Sequence, residues 1–513
     1  MCSCDGSMRK LTLGDLKLQE KRLMLENNPS DLRTIPRSRQ VPFQKRFFDL
    51  FMRFSSFRQQ QMQNPALYIV LLIIVTRLLF IFFTDWGLDF EWYVEKVRSI
   101  LAGGRLYVDV ETTHMPLTDF LYVAMYFLNP WKSNVFALRF FLKLPFLLSD
   151  VGIAIVVMKI IEQAFQNEST ERVFLDVTLS KRVRQAKFSA GLFIAFGLPL
   201  LLQTGGGRYD SLFIFCLVIA VFSLQKGQFF AVGLFASLGT SVKYIGVLFL
   251  PFVIIWLKKK DILPFLVGFL VGLIPIYPFL LFIPHEFINV VFMRTDHIAY
   301  GFSLWHGIYI LWNGFMMKHV ESIGDTYNIA DEPFFIRNFY LPFFIFLFSV
   351  IFIFYLKKNW ENIRTKKVSQ MPILYQVNLV FLPFFIFALT FKAINIQVLA
   401  WFLPYIALHR KKGLLIEYSF LTIIHGFALL IFEAPQIDDF LMKATKAVGS
   451  NSFFFFLIVK PVVFLANFPS QIFVGIIFLT IFWFNIRTFF ELISIVREET
   501  ANSKLQGKIS TVF

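Results

Sequence analysis

Long apolar segments alternate with short polar segments along most of the chain. The first apolar segment covers residues 66–83 and is close to the roughly twenty residues that a helix needs to cross the hydrocarbon of a bilayer. Further segments of this kind cover 136–161, 188–202, 211–224, 229–242, 244–257, 262–282, 339–356, 371–391, 396–408, 414–432 and 472–489. The pattern predicts an all-α polytopic membrane protein with about eleven transmembrane helices, in a range of roughly nine to thirteen.

Two other apolar segments do not fit a simple crossing. The segment 116–130 is short and favours a re-entrant or interfacial helix. The segment 452–468 carries Lys460 and Pro461 at its centre, which favours a broken or interfacial helix. The predicted fold therefore includes re-entrant or amphipathic helices beside the spans.

Composition agrees with a membrane protein. Hydrophobic residues make up 57% of the chain and charged residues only 16%, whereas charged residues make up about a quarter of soluble domains. The three cysteines, Cys2, Cys4 and Cys216, provide no disulfide framework. The net charge of +16 comes from short basic clusters between apolar segments. These clusters indicate topology signals and contacts with anionic membrane lipids, and not a nucleic-acid partner.

The basic clusters predict which side of the membrane each loop occupies. Residues 1–64 form a basic tail without an apolar leader, and the clusters at 180–187, 257–261, 357–367 and 409–413 are also basic. Under the positive-inside rule these segments are cytoplasmic. The loops at 84–117, 203–210, 284–338 and 392–397 are then lumenal or extracellular. The predicted organisation is a tail (1–64), a core (65–410), C-terminal helices (411–490) and a second tail (491–513), in an endoplasmic reticulum or prokaryotic plasma membrane.

The loop that follows the first span is rich in acidic residues. Asp85, Asp89 and Glu91 lie directly behind the apolar segment, where desolvation raises the cost of each charge. This placement indicates chemistry or cation binding. The alternative is a solvated loop with a helix at 91–102 on the membrane surface.

Polar residues of mixed type concentrate on the predicted lumenal side. The cytoplasmic loops hold mainly runs of lysine and arginine. The asymmetry predicts an active site at the lumenal or extracellular membrane boundary. Its candidate residues are Asp85, Asp89, Glu91, His114, Arg208, Asp210, Lys243, Arg294, Asp296, His297, His306, Lys392, Asn395 and Gln397.

The order of motifs between residues 64 and 410 resembles the GT-C superfamily, the multispan glycosyltransferases that take a sugar from a polyprenyl phosphate such as dolichyl phosphate. Asp89-Phe90-Glu91 is similar to the acidic pair after the first span of that family. Other similar segments, in order, are GGRLYVD (103–109), PLTDFLY (116–122), RFFLKLPFLLSD (139–150), GGGRYDSL (205–212), SLGTSVKYIGVLFLPF (237–252) and NIQVLAWFLPY (395–405).

The resemblance implies inverting transfer of a hexose to a lipid-linked or glycan acceptor. Thr113-His114-Met115-Pro116 replaces the Tyr-Pro-Pro-Leu of the related glucosyltransferases, which favours a mannosyl donor. Asp89 is then the general base, with Glu91 beside it. Arg208, Lys243, Arg294 and Lys392 are expected to bind the donor phosphate. The residues expected to bind the remainder of the substrates are Asp85, His114, Asp210, His297 and Gln397.

Metal dependence and two other function classes stay open at this point. Asp89 and Glu91 supply too few ligands to hold a divalent metal by themselves, and no other cofactor is expected. A secondary transporter would show paired interrupted helices and charges at mid-membrane depth. A membrane acyltransferase would place a histidine inside the membrane, for which His425 is the candidate.

Overall fold

The computed structural model describes residues 64–83, 89–110, 112, 114–169, 176–292, 333–391 and 397–409, with single residues or short pieces within 300–312, 393–394, 413–420 and 483–487. These residues are mostly helical. The predicted tails and the segments predicted at 414–432, 452–468 and 472–489 lie wholly or almost wholly outside this set.

The helices of the first part of the chain are α1 (Pro65–Phe83), α2 (Asp89–Leu101), α3 (Pro116–Leu128), α4 (Val135–Ser169), α5 (Asp176–Phe196), α6 (Leu198–Gly205), α7 (Asp210–Gln225) and α8 (Phe229–Val242). A 3-10 helix, Tyr244–Phe249, follows α8. The later helices are α9 (Leu250–Ile254), α10 (Lys259–Gly272), α11 (Tyr277–Phe282), α12 (Pro284–Phe292), α13 (Phe334–Thr365), α14 (Ile373–Thr390), α15 (Gln397–Trp401) and α16 (Leu403–His409). A 3-10 turn, Val368–Gln370, precedes α14, and two short strands, β1 (Tyr300–Gly301) and β2 (Ala393–Ile394), pair in parallel.

Long apolar helices fit the predicted membrane protein. Within the described ranges, α1, α4 and α13 each contain a stretch long and apolar enough to cross a bilayer. The bent pair formed by Ser180–Phe196 and Leu198–Gly205 would make a fourth span. The remaining apolar helices are shorter, among them α3, which fits the predicted interfacial segment. The count of eleven spans stays a prediction.

The sequence of α1 explains how this helix divides between protein and lipid. Ile69, Ile73, Arg77 and Ile81 recur every fourth residue and are completely buried. Residues at this spacing lie along one face of a helix. The opposite face carries side chains that are more than half exposed, Leu67, Leu71, Val75 and Leu79. One stripe of α1 therefore packs against the protein, and the other suits contact with lipid.

The third predicted span, 188–202, is longer and bent. Helix α5 begins at Asp176 and includes the basic segment 180–187, which was predicted to be a loop. It ends at Phe196, and after Gly197 the next helix, α6, continues at an angle of 48°. Pro199 causes the break, because a proline has no amide hydrogen to continue the helical ladder. The predicted span is therefore a bent pair of helices.

Arg77 satisfies the carbonyl groups that this break releases. Its guanidinium donates to the carbonyl oxygens of Ala195 and Ile194, the latter at 2.8 Å. The Nε atom donates to Asp150 Oδ2 at 2.8 Å, and Thr204 Oγ1 donates to the same oxygen at 2.7 Å. The buried Arg77–Asp150 pair therefore joins α1, α4 and the α5–α6 bend.

Other predicted crossings also differ from the observed helices, among them 244–257, which forms a 3-10 helix followed by the short α9. The segment 262–282 is divided into α10 and α11 because Pro275 and Pro278 interrupt the helical ladder. The segment 396–408 is divided into α15 and α16 just before Pro404. Helix α13 continues beyond the predicted span 339–356 and through most of the basic segment 357–367, whose lysine, arginine and glutamate residues are good helix formers.

Helices α8 and α10 pack closely through small residues. A Cβ atom at Gly233 would overlap the carbonyl oxygen of Phe265, and one at Gly268 would overlap that of Phe230. Gly272 lies four residues after Gly268, and a Cβ atom there would overlap the hydroxyl oxygen of Ser237. Small residues at this spacing allow helix backbones to approach within a membrane. The contact fixes the end of α8, after which Lys243 follows.

Candidate functional site

A glycine turn connects α6 to α7 and carries Arg208, Tyr209 and Asp210. Gly207 has a φ of +73°, a backbone conformation that glycine adopts without strain. Its carbonyl oxygen accepts a hydrogen bond from the hydroxyl of Tyr122 at 2.5 Å. A Cβ atom at this position would lie 3.3 Å from Cγ of Lys143. The turn therefore approaches α3 and α4 closely.

Asp210 is the centre of the first polar cluster. Its Oδ1 accepts hydrogen bonds from Lys243 Nζ at 2.8 Å and from the indole Nε1 of Trp401 at 2.7 Å. The Lys243 ammonium lies 4.7 Å from the ring of Trp401 and 5.3 Å from that of Tyr209, within range of cation–π attraction. These four residues form what we call the Asp210 cluster. It brings together α7, the residue after α8, and α15.

The two carboxylate oxygens of Asp210 differ in their hydrogen bonding. Asp210 is completely buried, and its Oδ2 has no hydrogen-bond partner among the described residues. Buried polar atoms nearly always have a partner. Oδ2 is therefore suited to accept a hydrogen bond from a bound hydroxyl group. Arg208, also buried, lies two residues away in the same turn.

A second buried polar cluster lies between α2 and α3. The ammonium of Lys96 contacts Asp119 Oδ1 and lies 2.8 Å from His114 Nδ1 and 3.3 Å from Thr112 Oγ1. The hydroxyl of Thr112 donates to Asp119 Oδ2 at 2.9 Å. All four side chains are buried. We call this set the Lys96 cluster.

His114 joins the two clusters. Its ring lies 4.6 Å from that of Tyr209 in an edge-to-face arrangement, and 5.4 Å from that of Trp92. The hydroxyl of Tyr107 donates to the backbone carbonyl of His114 at 2.7 Å. The histidine is thus fixed by contacts on its ring and its backbone. The Lys96 cluster and the glycine turn before α7 therefore meet at His114 and Tyr209.

The carboxylates of Asp119 and Asp109 have lowered pKa values for different reasons. Burial alone raises the pKa of Asp119, but Lys96 and His114 outweigh this effect, so the net pKa lies below its ordinary value. Asp109 is exposed, and hydrogen bonds from Arg105 lower its pKa to about 2. Both groups are therefore ionised at neutral pH, Asp119 inside the candidate site and Asp109 on the surface.

Two basic residues of α4 hold the region where the acidic loop begins. Arg139 donates to the carbonyl of Phe82 at 3.0 Å, and Lys143 Nζ donates to that of Ile81 at 3.1 Å. Such carbonyls at the end of a helix have no partner within the helix itself. The same ammonium lies 5.0 Å from the ring of Phe90 in α2. Helix α4 therefore contacts both the end of α1 and the beginning of α2.

The structure brings four of the predicted site residues together, namely His114, Arg208, Asp210 and Lys243. Asp89 and Gln397 begin α2 and α15, and their side chains lie outside the described set. Glu91 is exposed on α2, whose opposite face is buried. The predicted residues that lie outside the described set altogether are Asp85, Arg294, Asp296, His297, His306, Lys392 and Asn395.

Sequence reasoning did not assign a site role to Lys96, Thr112, Asp119, Lys143 or Trp401. Lys96 carried a recognisable signal, since a charged residue stands among the apolar positions of α2 at helical spacing. Asp119 and Trp401 belong to the family-like segments 116–122 and 395–405. Their hydrogen-bond partners, Lys96 and Asp210, lie in other segments of the chain. Across the described part of the chain, no three His, Cys, Asp or Glu side chains are grouped to hold a metal ion.

No protein-family model matches this chain, and no curated protein matches it.

Proposed function

We propose that this chain is a membrane-embedded glycosyltransferase of the GT-C type. It transfers a hexose, mannose in preference to glucose, from a polyprenyl phosphate to a lipid-linked or glycan acceptor with inversion. The observation that supports the proposal is the convergence of His114, Arg208, Asp210 and Lys243 in one buried region. These residues come from three separate segments of the chain, and each has a predicted role in substrate binding.

The polar groups of this region suit a phosphosugar. Arg208 and Lys243 supply positive charge for the departing phosphate, which keeps its negative charge when the bond to the sugar breaks. Asp210 Oδ2 supplies an acceptor for a sugar hydroxyl. Lys243 is also paired with Asp210, so the cation and the carboxylate act as one unit. Asp89 is the proposed general base that removes the acceptor's proton.

The transporter alternative would draw on the charged pair inside the helical core. Arg77 and Asp150 are completely buried at positions within α1 and α4, and charges inside a membrane often mark a transport pathway. Arg77, however, donates to two carbonyls freed by the bend at Gly197. That structural role explains the pair without transport. The acyltransferase candidate His425 lies outside the described residues.

The test is a transfer assay on the purified full-length chain in liposomes. Polyprenyl-phosphate mannose, polyprenyl-phosphate glucose and nucleotide sugars are supplied separately, and the anomeric configuration of the product is determined. We expect transfer from the polyprenyl donors with inversion, and faster transfer of mannose. Transfer from nucleotide sugars alone, or retention of configuration, would refute the proposal.

Charge-removing variants test the phosphate assignment in the same assay. Arg208, Lys243, Arg294 and Lys392 are each changed to glutamine or methionine. A hydrogen bond to a charged group contributes about 1.5 to 3 kcal/mol, so loss of a true ligand should weaken donor use about ten- to a hundredfold. Lys260→Gln is the matched control because this lysine is exposed on a predicted cytoplasmic segment. If all four variants use the donor as well as the parent does, the phosphate binds elsewhere.

A further inference from the structure

Helix α3 carries two buried hydroxyl groups that donate hydrogen bonds to the backbone of other segments. Thr118 and Tyr122 lie four residues apart, so their side chains share one face of the helix. The hydroxyl of Thr118 donates to the carbonyl oxygen of Val242 at 3.3 Å. That of Tyr122 donates to the carbonyl oxygen of Gly207 at 2.5 Å. This face of α3 therefore contacts both the end of α8 and the glycine turn.

The two accepting carbonyl groups directly precede two of the cations proposed to bind the donor phosphate. The carbonyl of Val242 and the amide of Lys243 belong to one planar peptide group, and so do the carbonyl of Gly207 and the amide of Arg208. The Lys243 ammonium lies 5.3 Å from the ring of Tyr209, the residue after Arg208. Helix α3 thus bonds to the peptide group at which each of two neighbouring cationic residues begins.

The amide side of each peptide group is bonded as well. The amide of Lys243 donates to the carbonyl oxygen of Gly239 in α8 at 2.8 Å, and the amide of Arg208 donates to that of Gln203 in α6 at 2.9 Å. The last carbonyl groups of a helix have no partner within the helix and need one from elsewhere. Each peptide group is therefore held by its own helix through N–H and by α3 through C=O, which fixes its orientation.

Helix α3 is itself anchored to α2. Asp119, next to Thr118, contacts the ammonium of Lys96. The ring of Tyr122 stacks on that of Tyr93 at a centroid distance of 4.9 Å. These contacts oppose rotation and sliding of α3. The separation of the two peptide groups is therefore set by the spacing of Thr118 and Tyr122, about one turn of helix.

We propose that Thr118 and Tyr122 are positioning residues for the donor phosphate. Together they set the separation of the backbone at Arg208 and Lys243, so that both cations bind the same phosphate group. A phosphate presents several acceptor oxygens and can accept from two cationic side chains at once. The identity of the ligand rests on the proposed function. The contacts of α3 with the two peptide groups do not.

Removal of each hydroxyl tests the proposal with little change of shape. Tyr122→Phe and Thr118→Val each lose the donor. Binding of polyprenyl phosphate without a sugar is measured for the full-length chain in lipid nanodiscs. We expect binding about three- to tenfold weaker in each variant, with the smaller loss for Thr118→Val because its hydrogen bond is longer.

Two further variants control for effects other than loss of the hydrogen bond. Thr118→Ser keeps the hydroxyl and should bind the lipid nearly as well as the parent does; a loss equal to that of Thr118→Val would overturn the role of the hydroxyl. Tyr126 is buried four residues beyond Tyr122, and its hydroxyl makes no hydrogen bond within the described part of the chain. Tyr126→Phe should keep the parent's affinity. Equal affinity in Tyr122→Phe, Tyr126→Phe and the parent would overturn the proposal.

Double variants distinguish positioning from a general loss of structure. Tyr122 acts through Arg208, so Tyr122→Phe should weaken binding little further once Arg208 is changed to glutamine. It should keep its full effect in Lys243→Met. Thr118→Val should show the reverse dependence. Effects of the two hydroxyl variants that are the same in both backgrounds would indicate a general structural role and overturn the proposal.

The result is separable from that of the proposed function. A parent that binds polyprenyl phosphate with these dependences but transfers no hexose would refute the glycosyltransferase and leave this inference intact. A parent that transfers hexose while both hydroxyl variants bind the lipid normally would overturn the inference and leave the function intact. A parent that binds no polyprenyl phosphate would also overturn the inference, and the transfer assay then decides the function.

Discussion

The indole Nε1 of Trp401 donates a hydrogen bond to Asp210 Oδ1 at 2.7 Å across 191 positions of the chain. Trp401→Phe keeps an aromatic ring but removes the donor. Because the acceptor is a buried carboxylate, we expect about ten- to a hundredfold weaker use of the polyprenyl-phosphate sugar. The measurement is the apparent donor affinity at matched expression.

Trp256→Phe is the control for this substitution. Trp256 is also buried, and its Nε1 donates to the hydroxyl of Tyr355 at 2.8 Å, a residue that does not belong to the Asp210 cluster. We expect this variant to keep the parent's donor affinity. Equal donor affinity in the two variants would show that the Asp210–Trp401 bond has no part in donor binding.

Asp89→Asn should remove most of the transfer activity. The amide keeps the shape of the side chain but cannot accept the proton of the acceptor hydroxyl, and a general base contributes roughly 10²- to 10⁴-fold. The measurement is kcat with saturating donor. Glu95→Gln changes an exposed acidic residue six positions further along α2; it is the matched control and should keep full activity. Activity of Asp89→Asn within a few-fold of the parent would rule out the assigned base.

Removing one partner of the Lys96–Asp119 pair should lower the free energy of unfolding more than replacing both partners with apolar residues. Removing one partner leaves a buried charge, so Lys96→Met or Asp119→Leu should each lower the free energy of unfolding by about 3 to 5 kcal/mol. The double variant, Lys96→Met with Asp119→Leu, should recover much of this loss. Thermal unfolding in detergent measures the effect. Losses in the single variants that simply add in the double variant would contradict a coupled pair.

The same pair predicts a pH dependence. The pKa of Asp119 is lower in the folded chain than its ordinary value, so its stabilising contribution is present above the unfolded pKa of about 4. It is lost as the pH falls through the folded pKa. The double variant should show a weaker decline in acid. Arg105→Gln with Asp109→Asn removes an exposed ion pair and should leave stability at neutral pH nearly unchanged.

Gly207→Ala should disturb the site more than its backbone conformation alone explains. Gly207 and Gly103 both have positive φ values, +73° and +99°, which cost an alanine about 1 to 2 kcal/mol. A Cβ atom at Gly207 would also lie only 3.3 Å from Cγ of Lys143, whereas one at Gly103 would have no neighbouring atom within 4 Å. We expect a larger loss of stability and of donor affinity for Gly207→Ala. Identical effects of the two variants would contradict a role for this contact.

Membrane topology can be tested with single cysteines. Cys2 and Cys4 are replaced with serine and the buried Cys216 with alanine. Cysteines at the exposed positions Val108 and Lys260 are then labelled from outside intact cells or sealed vesicles. Labelling should place position 108 on the lumenal or extracellular side and position 260 in the cytoplasm. Labelling of both positions from one side would overturn the predicted topology.

Local pattern was enough to predict the helical membrane class and the positions of α1, α4 and α8, because long apolar runs with few charges fit helices in lipid. It also predicted a short helix at the position of α3. It failed at Pro199, Pro275 and Pro404, where helices break inside apolar segments. Hydropathy does not record the loss of a hydrogen bond within a uniformly apolar run. The partner that satisfies such a break, as Arg77 does at Ala195, is remote in the chain.

For the candidate site too, the sequence predicted some residues and only the tertiary structure showed their contacts. The sequence by itself identified His114, Arg208, Asp210 and Lys243, because polar residues at the ends of apolar segments are costly without a role. Only the tertiary structure decided that Asp210 pairs with Trp401 and that Lys96 contacts both His114 and Asp119. Hydrogen bonds depend on distances of a few tenths of an ångström between side chains. Those distances are set by the packing of helices that are far apart in the sequence.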